Sequence, residues 1–373
     1  MAKLNNRVTK HQFGNTMHTT TKGKTMNFSN NVRGRKGRVV GAASAIAVAA
    51  LLLAGCTAST PSASGSAGAN ANYKIVVMPK SLGNKYFAAS DAGAQKAIQS
   101  FGGTYSEAGA NEASPNSQSP FIQTAIQNGA GAIVLAANDP QAVCADLQSA
   151  MSAGIKVVAF DSDTKCRDAF VNQATVDGVA QGLVDLAKAK FPTAPTKLAI
   201  ESGGPNATNL NAWVDAIKSK IAAQAPNITI VDVVYGNDVD ADSYNAAKGV
   251  ITAHPDLNGI IAPDSVAVKE AAHYLSDTPD LKGKIWLTGL GLPSELGAYV
   301  KAGVFDQFGL WDVGALGQLA AYTAKALVDG TITGKEGDKF TTPLGAYTVG
   351  KGGEIVLGPL FVFDKANVDN FAF

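Results

Sequence analysis

The chain has 373 residues, more than one domain usually holds, so two lobes are expected. Its formal net charge is +1, but the segment before Cys56 holds nine of the 31 Lys and Arg residues and no Asp or Glu. This leaves 22 basic against 30 acidic residues, a net of −8, in the rest of the chain. An acidic body of this kind argues against nucleic-acid binding, which depends on clustered Lys and Arg.

Residues 1–55 have the plan of a secretory signal peptide. A basic segment at 33–38 precedes an uncharged apolar run at 39–53, which is short for a membrane-spanning helix. The run closes on Leu-Ala-Gly-Cys, which resembles a bacterial lipobox and implies cleavage before Cys56 and lipid attachment to that residue. A plain apolar segment with a chance cysteine is the alternative. Small and polar residues follow, so 56–72 is interpreted as a flexible lipoprotein tether.

From residue 73 onward, strands and helices are predicted to alternate. Short apolar runs predict strands at 74–78, 104–105, 132–137, 157–160, 169–171, 197–200, 229–235, 259–262 and 284–288. Segments with apolar residues at helical spacing predict helices at 88–101, 121–126, 141–153, 177–190, 210–224, 243–254 and 268–275. This alternation, run through twice, predicts an α/β fold of two doubly wound parallel-sheet lobes with a ligand in the cleft between them.

Polar side chains follow the predicted strands at the point where each strand ends. The strand at 157–160 stops on Asp161, Ser162 and Asp163. Ligands of open parallel sheets bind outside the carboxyl ends of the strands, so Asp161 is expected to contact a ligand; simple capping of the next element is the alternative. The polar strand-end set comprises Lys80, Asn84, Asn138, Asp139, Asp161, Asp163, Asn172, Gln173, Asn206, Asn209, Asp264 and Ser265, with Trp311 and Asp312 later in the chain.

This combination of side chains suits a neutral, polyhydroxylated ligand. Carboxylates accept hydrogen bonds from hydroxyl groups, and amides both donate and accept. The aromatic faces of Tyr86, Phe87 and Trp311 could cover the apolar side of a sugar ring. The sequence contains no metal-ligand spacing, no Gly-x-Ser-x-Gly and no phosphate loop, so neither a cofactor nor an enzyme is predicted. Asp161 and Asp163 could form an acid/base pair, but on an extended strand end they would tend to diverge.

Two cysteines remain once Cys56 is assigned to the lipid. Cys144 lies on a predicted helix and Cys166 follows the next strand. An even pair in an exported chain indicates a disulfide, which would pin the Asp161 loop to the preceding helix. Two separate buried thiols are the alternative.

The sequence resembles the sugar-binding lipoproteins of bacterial ABC importers, which have the ribose-binding type of periplasmic binding protein fold (type 1). Within them it is most similar to the branch that holds rhamnose-binding and autoinducer-2-binding proteins, and the similarity covers residues 73–373. The motifs that carry it are Ala-Asn-Asp-Pro at 137–140, Phe-Asp-Ser-Asp-Thr at 160–164, Val-Asn-Gln at 171–173, Thr-Asn-Leu-Asn-Ala-Trp at 208–213, Ile-Ala-Pro-Asp at 261–264, Gly-Leu-Gly-Leu-Pro-Ser at 289–294, Phe-Gly-Leu-Trp-Asp at 308–312 and Phe-Asp-Lys-Ala-Asn-Val-Asp at 363–369.

The resemblance implies which residues contact the ligand. They are Lys80, Asp161, Asn209, Leu210, Pro263 and Ser265, and the full predicted set also includes Phe87 and Gly291. Autoinducer-2 binders are expected to have Asp-Gln at 209–210 and Ala at 265. Without that Asp and Gln, this chain lacks charge-assisted hydrogen bonds to the ligand. A site built around such bonds discriminates strongly between ligands. A rhamnose-like deoxyhexose or a pentose is therefore the predicted ligand, and an autoinducer-2 receptor is the alternative.

The resemblance also implies an architecture and a set of partners. A three-segment hinge would join a first lobe at 73–172 and 309–336 to a second lobe at 173–308 and 337–373. Cys144 and Cys166 would form a disulfide found in related members. The protein would be a monomer, attached by its lipid alone to the outer face of the cytoplasmic membrane, and would deliver its sugar to the permease subunits of an ABC transporter.

Overall fold

The computed structural model describes residues 71–371 and 373. The predicted signal peptide, and the tether up to residue 70 with Cys56, lie outside the described residues. Within the described part of the chain, none of the helices combines the length and the apolar character needed to span a bilayer.

Strands and helices alternate along the chain, as the sequence predicts. The strands are β1 (Lys74–Met78), β2 (Thr104–Glu107), β3 (Ala132–Leu135), β4 (Lys156–Phe160), β5 (Ala169–Asn172), β6 (Thr196–Ser202), β7 (Ile228–Tyr235), β8 (Gly259–Ala262), β9 (Trp286–Gly289), β10 (Gln307–Leu310), β11 (Lys339–Thr342), β12 (Gly345–Thr348), β13 (Glu354–Val356) and β14 (Phe361–Asp364). The helices are α1 (Lys85–Ser100), α2 (Ser119–Gln127), α3 (Cys144–Ser152), α4 (Val176–Lys190), α5 (Thr208–Gln224), α6 (Asp240–Ala253), α7 (Ser265–Asp277), α8 (Pro293–Lys301) and α9 (Val313–Val328).

Each lobe is built on its own parallel sheet. The first sheet has the order β13-β5-β4-β3-β1-β2, and the second has the order β7-β6-β8-β9. A bridge between Leu290 and Gly309 brings the antiparallel pair β10-β14 beside β9. Strands such as β3 and β8 are buried along their whole length, because helices cover both faces of the sheets. The predicted α/β class with two doubly wound lobes is confirmed.

The chain passes between the two sheets three times. It leaves the first sheet after β5, returns after β10, where α9 packs on α1 and β4, and leaves again between β13 and β14. The first two passages lie close to the predicted lobe boundaries at 172–173 and 308–309. The third differs, because β13 pairs with β5, joining Glu354 to Phe170 and Val356 to Asn172. The assignment of 337–373 as a whole to the second lobe is therefore wrong for β13. This strand has three residues, too few to show a strand pattern in the sequence.

Helices α1 and α9 approach each other closely because glycine stands at the contact. A Cβ atom on Gly317 would lie 1.7 Å from the carbonyl oxygen of Ser90, and one on Gly93 would lie 2.1 Å from that of Gly314. Only a residue without a side chain lets two helix backbones come this near. The contact packs α9 against α1, the helix that follows the loop after β1.

We expect Gly317→Ala to lower the free energy of unfolding by about 1–3 kcal/mol, because the added methyl group has to push α9 away from α1. Urea unfolding measures the change. Gly249→Ala is the matched control, since Gly249 is an exposed position on α6 with no atom near the added Cβ. It is expected to raise stability by about 0.5–1 kcal/mol through helix propensity. Equal stability of the Gly317 variant and the unmodified protein would contradict the close-packing argument.

A disulfide joins Cys144 to Cys166, with their Cα atoms 5.2 Å apart. The sequence prediction is confirmed, and the alternative of two separate thiols is wrong. The bond ties the first residue of α3 to the loop that follows β4, the same loop that carries Asp161 and Asp163. The loop is held a second time where the Thr164 hydroxyl donates to the carbonyl oxygen of Pro140 at 2.8 Å.

Candidate ligand-binding site

The carboxyl ends of the two sheets face each other across a small cavity. Ten residues of the predicted set line it, namely Lys80, Asn84, Phe87, Asp161, Asn209, Leu210, Pro263, Asp264, Ser265 and Trp311. The cavity continues into a wider groove that shares Asn84 and Asp238 as lining residues, and an ion pair of 3.6 Å between Lys85 Nζ and Glu295 Oε1 lies beside that groove.

Asp161 is the hydrogen-bond centre of the cavity. One of its oxygens, Oδ1, accepts from the hydroxyl of Tyr86 at 2.9 Å and from Nε2 of Gln173 at 3.3 Å. The other, Oδ2, accepts from Nδ2 of Asn209 at 3.2 Å and lies 3.3 Å from Nζ of Lys80. The residue is 4% exposed, and its φ of 59° places it in the left-handed region. Such backbone strain in a non-glycine residue costs roughly 1–3 kcal/mol and is found mainly at functional sites.

Lys80 brings a buried positive charge to the same point. Burial opposes its ammonium group, but the carboxylates of Asp161, Asp238 and Asp264 outweigh that effect and raise the pKa of Lys80. The side chain is therefore charged at neutral pH. A buried charge needs a partner, and the carboxylate of Asp161 supplies it. In addition, Nζ of Lys80 lies 3.4 Å from Oδ1 of Asn209.

These contacts join the two lobes. Lys80 follows β1 and Asp161 follows β4 in the first sheet, whereas Asn209 lies in the first turn of α5 in the second lobe. The neighbouring Thr208 makes a second junction. Its hydroxyl oxygen accepts from the backbone N–H of Asp163 at 2.9 Å. The described conformation thus has the lobes in contact across the cleft.

Aromatic rings form the apolar side of the cavity. Trp311, between β10 and α9, donates from Nε1 to the hydroxyl of Tyr86 at 3.0 Å, and its ring centroid lies 5.8 Å from that of Trp213. Burial, together with the charge of Asp161, raises the pKa of Tyr86 well above its ordinary value, so the phenol stays neutral and donates. Such a surface matches the C–H face of a sugar ring.

Asp264 and Asp238 form a second polar region of the cavity lining, on the side of the second lobe. Oδ1 of Asp264 caps α7 by accepting from the backbone N–H groups of Val266 and Ala267 at 3.1 and 2.9 Å. A Cβ on Gly203 would lie 2.8 Å from Oδ2 of Asp264 and 2.5 Å from Oδ1 of Asp238, so the glycine is what lets both carboxyl groups approach this point. Burial, and then the charge of Asp238, raise the pKa of Asp264 well above its ordinary value.

Asn138 and Gln173, both in the predicted ligand set, lie behind the cavity wall. Asn138 donates from Nδ2 to the carbonyl oxygen of Lys80 at 2.9 Å, which fixes the backbone of that residue. Gln173 donates to Asp161. The amide nitrogen of each side chain thus bonds to a protein partner, whereas Oδ1 of Asn138 and Oε1 of Gln173 are buried without a hydrogen-bond partner among the described residues.

Asp163 and Gly291 also lie off the cavity wall. Asp163 forms an ion pair with Arg167, with 2.6 Å between Oδ1 and Nε, and this pair turns it away from Asp161. Gly291 packs inside the second lobe, where an added Cβ would lie 2.5 Å from Leu296 and 2.8 Å from Val268. The divergence expected for Asp161 and Asp163 is present.

Five cavity residues are missing from the predicted ligand set: Tyr86, Trp213, Asp238, Leu290 and Leu310. The sequence analysis named Tyr86 only as an aromatic ring that could cover a sugar. Trp213 lies one helical turn after Asn209 and therefore shares its face, a spacing that could have revealed it. Asp238 follows β7, a strand whose end the sequence argument did not use.

Within residues 71–371 and 373, no group of three or more His, Cys, Asp or Glu side chains is arranged to hold a metal ion.

Comparisons with known proteins agree with this geometry. Residues 75–332 match the family described as a periplasmic binding protein domain. A sugar ABC transporter protein from Actinomyces odontolyticus is 42% identical, with a TM-score of 0.66 over 80% of this chain and 97% of that one. An ABC transporter solute-binding protein from Clostridium phytofermentas with bound L-rhamnose is 34% identical, with a TM-score of 0.77 and the same coverage of 80% and 97%.

Two further relatives are less similar in sequence. LsrB from Clostridium saccharobutylicum, in complex with AI-2, is 26% identical, with a TM-score of 0.77 over 80% of this chain and 99% of that one. The xylose/arabinose-binding protein XylF of Sulfolobus acidocaldarius is 22% identical over 215 residues, which are 55% of this chain and 52% of that protein. The matched part of the chain thus spans about half the length of this curated relative.

Proposed function

The chain belongs to the periplasmic binding protein domain family, and we propose that it is the extracytoplasmic component of an ABC importer that captures a monosaccharide by closing its two lobes. The observation that carries the proposal is the cluster of Lys80, Asp161 and Asn209. These three side chains come from both lobes and meet inside one cavity. A ligand can favour closure only through groups that contact it better in the closed form, and this cluster meets that requirement.

In the proposed mechanism, the sugar takes over part of the hydrogen bonding that these residues make with one another. Its hydroxyl groups donate to Asp161 and accept from Lys80 and Asn209, while the rings of Tyr86 and Trp311 cover its apolar side. Closure removes water, which strengthens each of these bonds. The protein performs no chemical step on the sugar and passes it to permease subunits. We further propose that lipid on Cys56 holds the protein to the outer face of the cytoplasmic membrane.

A rhamnose-like sugar is the ligand that we favour. The similar structure with bound L-rhamnose supports it, as do Asn209, Leu210 and Ser265 at positions where other residues are expected in autoinducer-2 binders. The second candidate is autoinducer-2. It is favoured by the likeness to LsrB and by the presence of both Lys80 and Asp161 in the cavity.

We expect L-rhamnose to raise the melting temperature of the purified protein. A ligand at a hundred times its dissociation constant stabilises the folded state by about 2.7 kcal/mol, which thermal-shift measurement detects easily. D-ribose, other deoxyhexoses, other pentoses and autoinducer-2 are compared in the same screen. A shift with autoinducer-2 alone would favour the second candidate, and the absence of any shift would contradict sugar capture.

A further inference from the structure

Two carboxyl groups face the ligand cavity without a cation bound to either. Among the ion pairs of the described residues, none involves Asp238 or Asp264. Both line the cavity, Asp264 is 7% exposed, and their free oxygens converge on Gly203. Lys80 is the ammonium group that lines the same cavity, and it is bound to Asp161.

We propose that Asp238 and Asp264 hold one proton between them when the lobes close on a ligand, so that capture takes up a proton and weakens as the pH rises. The proposal rests on the proposed function, since it concerns the same cavity. Asp238 is absent from the set of residues predicted from the strand ends. Under this proposal, it determines which ligand groups are accepted at this end of the cavity.

The geometry favours one proton shared between the carboxyl groups of Asp238 and Asp264. One oxygen of Asp238 and one of Asp264 lie 2.5 and 2.8 Å from the position that a Cβ on Gly203 would take, and two like charges this close disfavour each other's ionisation where no cation is bound to them. Burial is the largest cause that raises the pKa of Asp264, and Asp238 adds to it by its charge and a hydrogen bond. With one proton, the pair offers an O–H donor to a ligand oxygen, whereas Asp161 at the other end offers acceptors.

The charged groups around the pair act in both directions. Lys80, from the loop after β1, favours ionisation of Asp264, but burial and Asp238 outweigh it. Asp161 neutralises much of that influence by pairing with Lys80. On the side of Asp238, the groove is lined by Asp240, Glu270 and Glu295 and by the ammonium groups of Lys85 and Lys269. Lys269 is paired with Asp240 and Glu270, and Lys85 with Glu295. Glu201 lies near the end of β6. Burial, with Asp264 and Glu270, raises the pKa of Glu201 well above its ordinary value, which lessens the negative charge that this residue adds.

The direction of the pH effect follows from linkage. With the lobes apart, Asp264 meets water and its pKa lies nearer the usual value of about 3.9. Closure buries it and raises the pKa, so the closed form binds a proton that the open form has lost. Ligand affinity is therefore full at a pH below the open-state pKa. It falls by up to about tenfold per pH unit between the two pKa values.

The test is isothermal titration calorimetry with L-rhamnose, D-ribose and autoinducer-2 as probes, from pH 5 to pH 9 in pairs of buffers with different ionisation enthalpies. We expect uptake of up to one proton and weaker binding at higher pH. In Asp238→Asn the proton uptake and the pH dependence should shrink. Asp242→Asn is the matched control, because it removes one exposed carboxylate nearby and should leave both unchanged. Binding without proton uptake, or an unchanged pH dependence in Asp238→Asn, would overturn the proposal.

Failure of the proposed function gives a different result. If no probe binds, sugar capture is contradicted. The interaction between the carboxyl groups of Asp238 and Asp264 is then tested by ¹³C NMR titration of the aspartate carboxyl groups in the ligand-free protein. Both residues lie in the second lobe, so their mutual effect does not need closure. The midpoint of Asp264 should fall in Asp238→Asn, and a midpoint that does not move would overturn the pair.

Discussion

Asp161→Ala is expected to weaken sugar binding by two to three orders of magnitude. The substitution removes the acceptor shared by Tyr86, Gln173 and Asn209 and leaves the ammonium group of Lys80 buried without its carboxylate. Breaking a buried pair by deleting one partner costs about 3–5 kcal/mol. The ligand loses its main acceptor at the same time, so the loss should appear in affinity as well as in stability.

Calorimetric titration with the sugar found in the ligand screen measures this loss. Asp161→Asn, which keeps the shape and one acceptor oxygen but removes the charge, should fall between Asp161→Ala and the unmodified protein. Asp163→Ala tests the sequence interpretation, which placed both carboxylates in the ligand set. Because Asp163 pairs with Arg167 off the cavity wall, its loss should cost about tenfold or less. A larger effect at Asp163 than at Asp161 would contradict the site described above.

Trp311→Ala is expected to lower the free energy of unfolding by about 3–5 kcal/mol, the usual cost of deleting a buried tryptophan ring. Trp311 is 2% exposed and lies in a passage of the chain between the lobes. Its removal leaves a void beside Trp213 and takes the indole N–H away from Tyr86. The effect should reach ligand binding, because Tyr86 would lose a contact that orients its hydroxyl toward Asp161.

Guanidinium chloride unfolding of Trp311→Ala and Trp311→Phe separates the two contributions. The phenylalanine variant keeps a buried aromatic ring but loses the N–H donor and part of the ring volume, so it should cost less than the alanine variant, about 1–2 kcal/mol. An unfolding midpoint for Trp311→Ala equal to that of the unmodified protein would show that the ring is not part of the packed interior.

Much of the fold could be predicted because its signals are local. Runs such as 132–137 and 259–262 are apolar throughout, which is what a strand covered on both faces requires. The pairing of β13 with β5 could not be predicted in this way. Its register joins residues more than 180 positions apart, and nothing within three residues of sequence shows which sheet they complete.

Some of the cavity residues could also be predicted from the sequence, again because the signal is local. The carboxyl-end rule finds Lys80, Asp161 and Asp264, because it depends only on where strands stop. It does not say which way a polar side chain turns. Asn138 was therefore placed in the ligand set although it bonds to a backbone carbonyl. Asp238 was missed because its place in the cavity depends on a loop with left-handed backbone at Asn237 and Asp238, with φ values of 56° and 57°.

The late return of β13 to the first sheet has a consequence for how the chain acquires its structure. The sheet begun by β1 is finished only when residues near the carboxyl terminus arrive, and α9, which packs on α1, also comes late in the chain. Contacts this distant in sequence form slowly, because a long loop has to close before they add stability. A nascent first lobe therefore stays incomplete, with an open edge at β5 and an uncovered face on α1, until most of the chain has been synthesised. Such exposed edges favour aggregation, so the chain is most prone to it in the interval before residues 354–356 arrive.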